Sequence, residues 1–373
     1  MHCGIASGFA HQQSDAYGDT EFFQDEVRLL AISEELGFDS IWITEHHFDN
    51  YSISPNPIQT LTYLAAKTRR VKLVTQVTVA PWHDPVRLAE QFIVLDHLSG
   101  GRAMAGFGRG LARREYDGLR IDRAKSRELF EEVIRLVMMG LETGVMEGGE
   151  IFKQPRVELR PRPLKSFKGR AFGAASTPDS QKQLAHLGIG RMYITLPSDQ
   201  GSPAGGTTYD FFAEEWRKIN GPSSNPPGPF ISGLVVVDES ADRARELAIK
   251  HGRVTFLAAV KHYEMDSENV GNQKGYEYYA QNLRMRSQEE VDKAAAQFNG
   301  GTLCGTPQMV LDEYWRIKEK MGAQGLFPHY YFGGMPQPEA YRNMLMFAKK
   351  CLPEIHSWKA ESTVDQPMRA AAE

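Results

Sequence analysis

Short apolar runs alternate with longer amphipathic stretches along all but the tail of this 373-residue chain. Cys3–Phe9, "SIWIT" at Ser40–Thr44, Val71–Ala80, Arg102–Gly108, Arg170–Ser176, Arg191–Leu196, Phe230–Val237 and Gly325–Phe332 read as strands. Between them the apolar positions switch to a helical period. In "EFFQDEVRLLAISEELG", Phe22, Phe23, Val27, Leu30, Ile32 and Leu36 approximate one face and Gly37 closes it. "PIQTLTYLAAKT", "PVRLAEQFIVLDHLSGG" and "SRELFEEVIRLVMMGL" follow the same rule. Eight strands separated by helices predict a parallel sheet, and eight is the number that closes into a (β/α)8 TIM barrel. An open doubly wound sheet would carry a Gly-rich fingerprint after the first strand, and there is none.

Two stretches exceed an ordinary connection. Residues 198–229 mix Gly, Pro and Ser around a short helical pattern, and Lys261–Phe298 is polar, aromatic-bearing and irregular in pattern. The second falls between the seventh and eighth strands, where an insertion can act as a lid over the barrel mouth. The expected organisation is one barrel domain over residues 1–358 and a flexible tail over 359–373.

Composition sharpens this by exclusion. With 41% hydrophobic and 24% charged residues and a net charge of −4, the chain carries no basic stripe for nucleic acid. No apolar run reaches membrane-spanning length, and the first residues lack a signal-peptide pattern. Cys3, Cys304 and Cys351 form neither a disulfide framework nor a zinc pattern, which fits a reducing cytoplasm.

The chemistry is expected at the C-terminal ends of the strands. Glu45, His46 and His47 follow the second strand in "TEHHF". A metal site, a satisfied structural pair and a proton-transfer or cofactor-contacting site all use such residues. Adjacent residues on an extended segment point to opposite sides, which argues against one ion holding both rings, and no metal is expected. Gln76 and Val77 lie late in the third strand. Gly108, Arg109 and Gly110 follow the fourth, and Ser176 and Thr177 follow the fifth. Arg109, Arg127 and small hydroxylated loop residues are what a phosphate monoester site needs. Trp82 and His83 read as loop residues near the mouth, and Asp84 as a cap for the helix starting at Pro85.

Together these segments resemble the bacterial luciferase-like flavin monooxygenase family. "LGFDSIWITEHHF", "APWHDPVRLAEQFIVLDHLSGGRAMAGFGRGL", "KSRELF" and "GAAST" carry the likeness over the first half, with weaker similarity beyond. The resemblance implies reduced FMN supplied by a separate NAD(P)H-dependent flavin reductase. It also implies reaction with O2 through a flavin 4a-hydroperoxide and oxygenation of a small organic substrate. By position His46 resembles the family's catalytic histidine, with His47 and Glu45 beside it. Arg109, Arg127 and Ser176 resemble its phosphate-binding set, with Thr177 adjacent. Gln76–Val77 falls where the family has a non-prolyl cis peptide against the flavin ring. Gly108 replaces the luciferase reactive cysteine, which is expected to leave room beside the ring, and Ala175 replaces a glutamate near the phosphate. Two other readings stay open: a dehydrogenase or reductase using the deazaflavin coenzyme, and a non-catalytic flavin-binding partner subunit. The family also implies a homodimer, for which the apolar helix "PIQTLTYLAAKT" suits the interface.

Overall fold

The computed structural model describes residues 1–12, 17–196, 209–300 and 302–363. Its centre is a ring of parallel strands. In chain order they are His2–Cys3 continued by Ile5–Ser7, Ser40–Ile43, Lys72–Thr75, Ala103–Gly108, Ala171–Ala174, Gly190–Tyr193, Phe230–Ile231 and Gly325–Leu326. Each strand from the second to the seventh pairs with its sequence neighbours. The two pieces of the first strand close the ring: His2–Cys3 pairs with the eighth strand and Ile5–Ser7 with the second. The eightfold TIM barrel read from the sequence is the fold observed.

These strands are buried on both faces, as parallel strands covered by helices must be. Inward-facing Ala6, Trp42, Val74, Met104, Phe172, Met192, Phe230 and Phe327 fill the barrel, with the Trp42 and Phe327 rings stacked at 4.0 Å. Outward-facing Ile41, Ile43, Leu73 and Phe107 join the helical layer through Leu61, Leu64, Leu88 and Phe92. Polar caps followed by proline fix several helix starts. Asn56 caps Pro57–Lys67, Asp84 caps Pro85–Leu98, Thr177 caps Pro178–His186 and Thr306 caps Pro307–Met321.

The structure corrects the strand ends. The third strand is not continuous to Ala80: it breaks at a cis peptide between Gln76 and Val77, then resumes at Thr78–Val79 against the fourth strand. The seventh divides as well. Phe230–Ile231 stays in the ring, while Val235–Val237 leaves it to pair with Leu303–Gly305, a strand not expected from the sequence. The eighth is regular only over Gly325–Leu326, with His329 bridging Ala6 and Leu234 beyond it. A hairpin of Val145–Gly148 and Gln154–Glu158 was also not foreseen.

The stretch read as irregular over Lys261–Phe298 holds helices at Glu277–Asn282 and Gln288–Gly300. Part of the other long stretch, residues 198–208, lies outside the described residues, and the remainder contains the helix Tyr209–Asn220. Of the expected tail, Thr363 bonds Gln324 and Gly169, and residues 364–373 lie outside the described residues. Among the described residues no helix is long and apolar enough to cross a membrane.

Candidate active site

The second strand ends at Ile43 and delivers Thr44–His47 to the C-terminal mouth of the barrel. Here the chain extends, so successive side chains diverge and the two histidines reach different carboxylates. His46 Nδ1–H donates to Glu115 Oε1 at 3.0 Å, whereas His47 Nε2 lies 3.3 Å from Glu45 Oε1. Glu45 is buried and also accepts from His83 Nε2 at 2.9 Å and from the Val79 amide at 2.7 Å. Burial pushes its carboxyl up, but the His83 charge and these bonds outweigh that and hold it below the ordinary range. Burial pushes His83 down, but the Glu45 charge and hydrogen bond together outweigh that and raise it. Glu45 and His47 therefore belong to a network that ties the second strand end to the resumed third strand.

Glu115 comes from the helix Arg113–Leu119, directly after the fourth-strand loop. It is fully buried, accepts from the His47 amide at 2.8 Å, and faces His262 Nε2 at 3.5 Å. Burial alone would raise its pKa, but the two imidazoles bring it down to about 2. His262, the last residue of the helix Ala241–His262, turns its Nδ1 to both Asp49 oxygens at 3.0 Å. Tyr51 stacks on the His262 ring at 4.5 Å, and the Tyr263 hydroxyl lies 3.4 Å from His46 Nε2. His46, Glu115 and His262 offer atoms within 4.8 Å of one another, close enough to share an ion. Each ring nitrogen involved also faces a carboxylate, which is the arrangement of a hydrogen-bonded chain, and no metal is assigned to it.

The second part of the site lies at the ends of the fourth and fifth strands. Arg109 is buried, donates to Ser126 Oγ at 3.2 Å and to the Gly275 carbonyl at 3.1 Å, and stacks on the Tyr276 ring at 4.2 Å. Arg127 pairs with the exposed Asp179 at 3.3 Å. The two guanidiniums converge at Gly275: a Cβ there would lie 3.7 Å from Arg109 Nη1 and 3.8 Å from Arg127 Nε. The Tyr279 phenol lies near both Arg109 and Ser176. Arg123 also stacks on the Tyr276 ring, at 3.9 Å, and donates to the Asn269 and Val270 carbonyls. Arg109 and Arg123 are thus buried cations bonded to neutral acceptors, a donor set that suits an anion. Thr177 does not join it: its hydroxyl caps the next helix and bonds Ser180.

Between these clusters lies the mouth itself, floored by Trp42, Val74, Met192 and Phe327. The amide of Gln76 donates to His329 Nε2 across it at 3.1 Å, while Gln76 Oε1 is buried without a partner among the described residues. Burial pushes His329 down to about 4, so this ring is neutral. The space expected beside Gly108 is absent. A Cβ there would strike Val77 Cγ2 at 2.3 Å, so the valine occupies the place where a larger side chain would sit. Ala175 and Ser176 line a small cleft with Met192 and Tyr193.

Of the residues singled out in the sequence, Arg109, Arg127 and Ser176 meet on one side and Glu45, His46 and His47 on the other. Glu115, Asp49, His262, Tyr276 and His329 were missed. Glu115 sits in the charged run "RREYD", where a solvated helix face is the ordinary reading, and His262 is separated from His46 by more than half the chain.

The sequence profile of the luciferase-like monooxygenases matches residues 1–325. The alkanal monooxygenase alpha chain of Photorhabdus luminescens is 25% identical over 307 residues, covering 80% of this chain and 83% of the relative. A crystal structure of a monooxygenase from Streptomyces bottropensis superimposes with a TM-score of 0.68 at 26% identity, covering 95% of this chain and 100% of that one. The oxygenating constituent of 3,6-diketocamphane monooxygenase from Pseudomonas putida, in complex with FMN, gives a TM-score of 0.70 at 14% identity, covering 95% and 98%. The last likeness is one of fold.

Proposed function

Because the chain belongs to the luciferase-like monooxygenase family, we propose that it is the oxygenase component of a two-component system. It takes reduced FMN from a separate NAD(P)H-dependent flavin reductase and uses O2 to oxygenate a small organic substrate. The observation that carries this is the convergence of Arg109 and Arg127 at Gly275, opposite a carboxylate-held His46. The buried Arg109 guanidinium, bonded to a hydroxyl and a carbonyl, fits a phosphate that would replace those weaker partners, and Arg127, paired with the exposed Asp179, can turn to the same anion.

When bound, reduced flavin supplies the electrons that activate O2. The chain's own residues do the rest. Arg109, Arg127 and Ser176 would hold the phosphate, and the Gln76–Val77 turn would meet the ring. Glu115 fixes the His46 tautomer by accepting from Nδ1, so Nε2 is the nitrogen that takes or returns a proton. Glu45 holds His47 and His83 and thereby the shape of the mouth. Segment 263–285, which meets Arg109, Arg113 and Arg123, acts as the lid.

The protein is proposed to work in the cytoplasm as a homodimer. The helix Pro57–Lys67 turns Ile58, Leu61, Leu64 and Ala65 into its own barrel, so its apolar face is not the interface. Tyr63 on this helix, with Val94 and Leu98 on the packed helix Pro85–Leu98, is what remains exposed there. A monomer in light scattering at micromolar concentration would refute the dimer. For the cofactor, anaerobic titration with photoreduced FMN, riboflavin and the deazaflavin coenzyme is decisive. FMN should bind well above riboflavin, and binding of the deazaflavin alone would sink the proposal.

A further inference from the structure

Glu115 is one carboxylate shared by two imidazoles. Its Oε1 takes the Nδ1–H of His46 and the amide of His47, and its Oε2 faces His262 Nε2. Among the described residues neither Glu115 Oε2 nor His262 Nε2 has a hydrogen-bond partner, their 3.5 Å approach being an ion-pair contact, and both side chains are wholly buried. The other nitrogen of His262 faces Asp49. A ring with a carboxylate at each nitrogen satisfies both only when both nitrogens carry protons.

We propose that His262 is a positioning residue for His46: held as a cation between Asp49 and Glu115, it takes up the Glu115 charge and leaves His46 a neutral ring whose Nε2 meets the Tyr263 hydroxyl. The inference rests on His46 being the proton-transfer group. Other groups around His262 do not supply that charge. Tyr51 and Tyr263 are neutral phenols, both with raised pKa through burial. Arg114 pairs with Asp49 through Oδ2, an oxygen that His262 Nδ1 also faces, and so offsets the Asp49 charge rather than that of Glu115, and Arg113 is paired with Glu264. Without the His262 cation, the buried anion would act on His46 alone. An unmatched opposite charge at hydrogen-bond distance favours an imidazolium by about 1–3 pH units. His46 would then hold a proton at neutral pH and could not accept one.

The test uses the full chain without flavin, labelled with 13C-histidine, the His46 signal being the one lost in His46→Asn. His262→Gln should move the His46 titration midpoint upward by about one pH unit or more, a tenfold change in proton affinity. Asp49→Asn, which removes the anchor and keeps the ring, should move it the same way by less and carries the test if His262→Gln does not fold. Adding Glu115→Gln to His262→Gln should bring the midpoint back down, since the charge is then gone. An unmoved or lowered midpoint in His262→Gln overturns the proposal. So does a wild-type midpoint that shifts after EDTA treatment, because a metal would then fill the gap. A moved midpoint with an unmoved pH profile of turnover keeps the coupling and refutes the catalytic role of His46.

Discussion

On the second-strand side of the barrel mouth Glu45, Glu115 and Asp49 are each met by imidazoles within the protein, whereas on the fourth- and fifth-strand side Arg109 and Arg123 end on a hydroxyl and backbone carbonyls. The first side is electrostatically complete, so the positions of its protons are fixed before anything binds. The second is a set of cations matched mainly to neutral acceptors, which an arriving phosphate would complete. On the proposed reading, chemistry and binding would be held by different residues, though both sides draw on the same insertion: His262 and Tyr263 reach the first, Gly275 and Tyr276 the second. If that division is right, substitutions on the two sides should damage different observables.

The largest effect is expected at His46. General acid–base catalysis contributes roughly 10²–10⁴-fold, so His46→Ala should lower product formation by about that factor. Affinity for reduced FMN should stay within about threefold, because no phosphate contact is lost. The O2 consumed should appear as hydrogen peroxide. Near-normal turnover with full coupling would reduce His46 to a packing residue.

Next comes the charge network itself. The Glu115 carboxyl titrates at about 2 in the fold against an ordinary 4.5. A depressed acid contributes stability that is present above its unfolded value and is lost as pH falls through the folded one. His262 has the opposite sign: its pKa is raised by the Asp49 and Glu115 bonds against the cost of burial, so its contribution is full below the ordinary 6.5 and fades as pH rises through its folded value. The network should thus stabilise most between about 4.5 and 6.5. Denaturant melts should place Glu115→Gln below wild type by on the order of 2–3 kcal/mol near pH 5.5, the gap closing toward pH 2. A gap independent of pH would mean that the loss is one of shape rather than charge.

On the binding side, Arg109→Ala should weaken reduced FMN at least about tenfold, since charge-assisted bonds to phosphate are worth roughly 1.5–3 kcal/mol. Riboflavin should be nearly indifferent to the change. Equal losses for both flavins would remove the phosphate assignment and, with it, the contrast between the two sides.

What the sequence made legible follows the same physics. The barrel could be read because each ring strand is a short apolar run flanked by glycine, proline or a cap, and local pattern suffices for that. "FISGLVVV" misled because an unbroken apolar run does not reveal that its second half pairs with Leu303–Gly305, across an insertion of more than sixty residues. Arg109, Arg127 and Ser176 stood out because guanidiniums beside glycines and hydroxyls at strand ends have few structural uses. Glu115, Asp49 and His262 did not, since their meaning lies in meeting each other, and nothing local marks a histidine at the end of an amphipathic helix as a partner for "TEHHF". The room expected beside Gly108 failed for a related reason: the neighbouring strand supplies Val77, and only the register shows it.

The smallest effect tests the border between scaffold and site on the binding side. Thr177 stands next to Ser176 and reads in sequence as part of the phosphate cradle, yet its Oγ1 accepts from the Ser180 amide at 3.2 Å and meets Ser180 Oγ at 2.8 Å. A hydroxyl so used is a helix cap, and removing such a cap costs about 0.5–2 kcal/mol of stability. Thr177→Ala should therefore lower the melting temperature by a few degrees, and Thr177→Ser, which keeps the oxygen, should restore most of it. Affinity for reduced FMN should change by less than about threefold, because the helix start at Pro178 shifts little and Arg109 is untouched. Should Thr177→Ala instead weaken FMN as much as Arg109→Ala while leaving riboflavin unchanged, the hydroxyl turns to the phosphate when the cofactor binds, and the cap seen here is only its resting position.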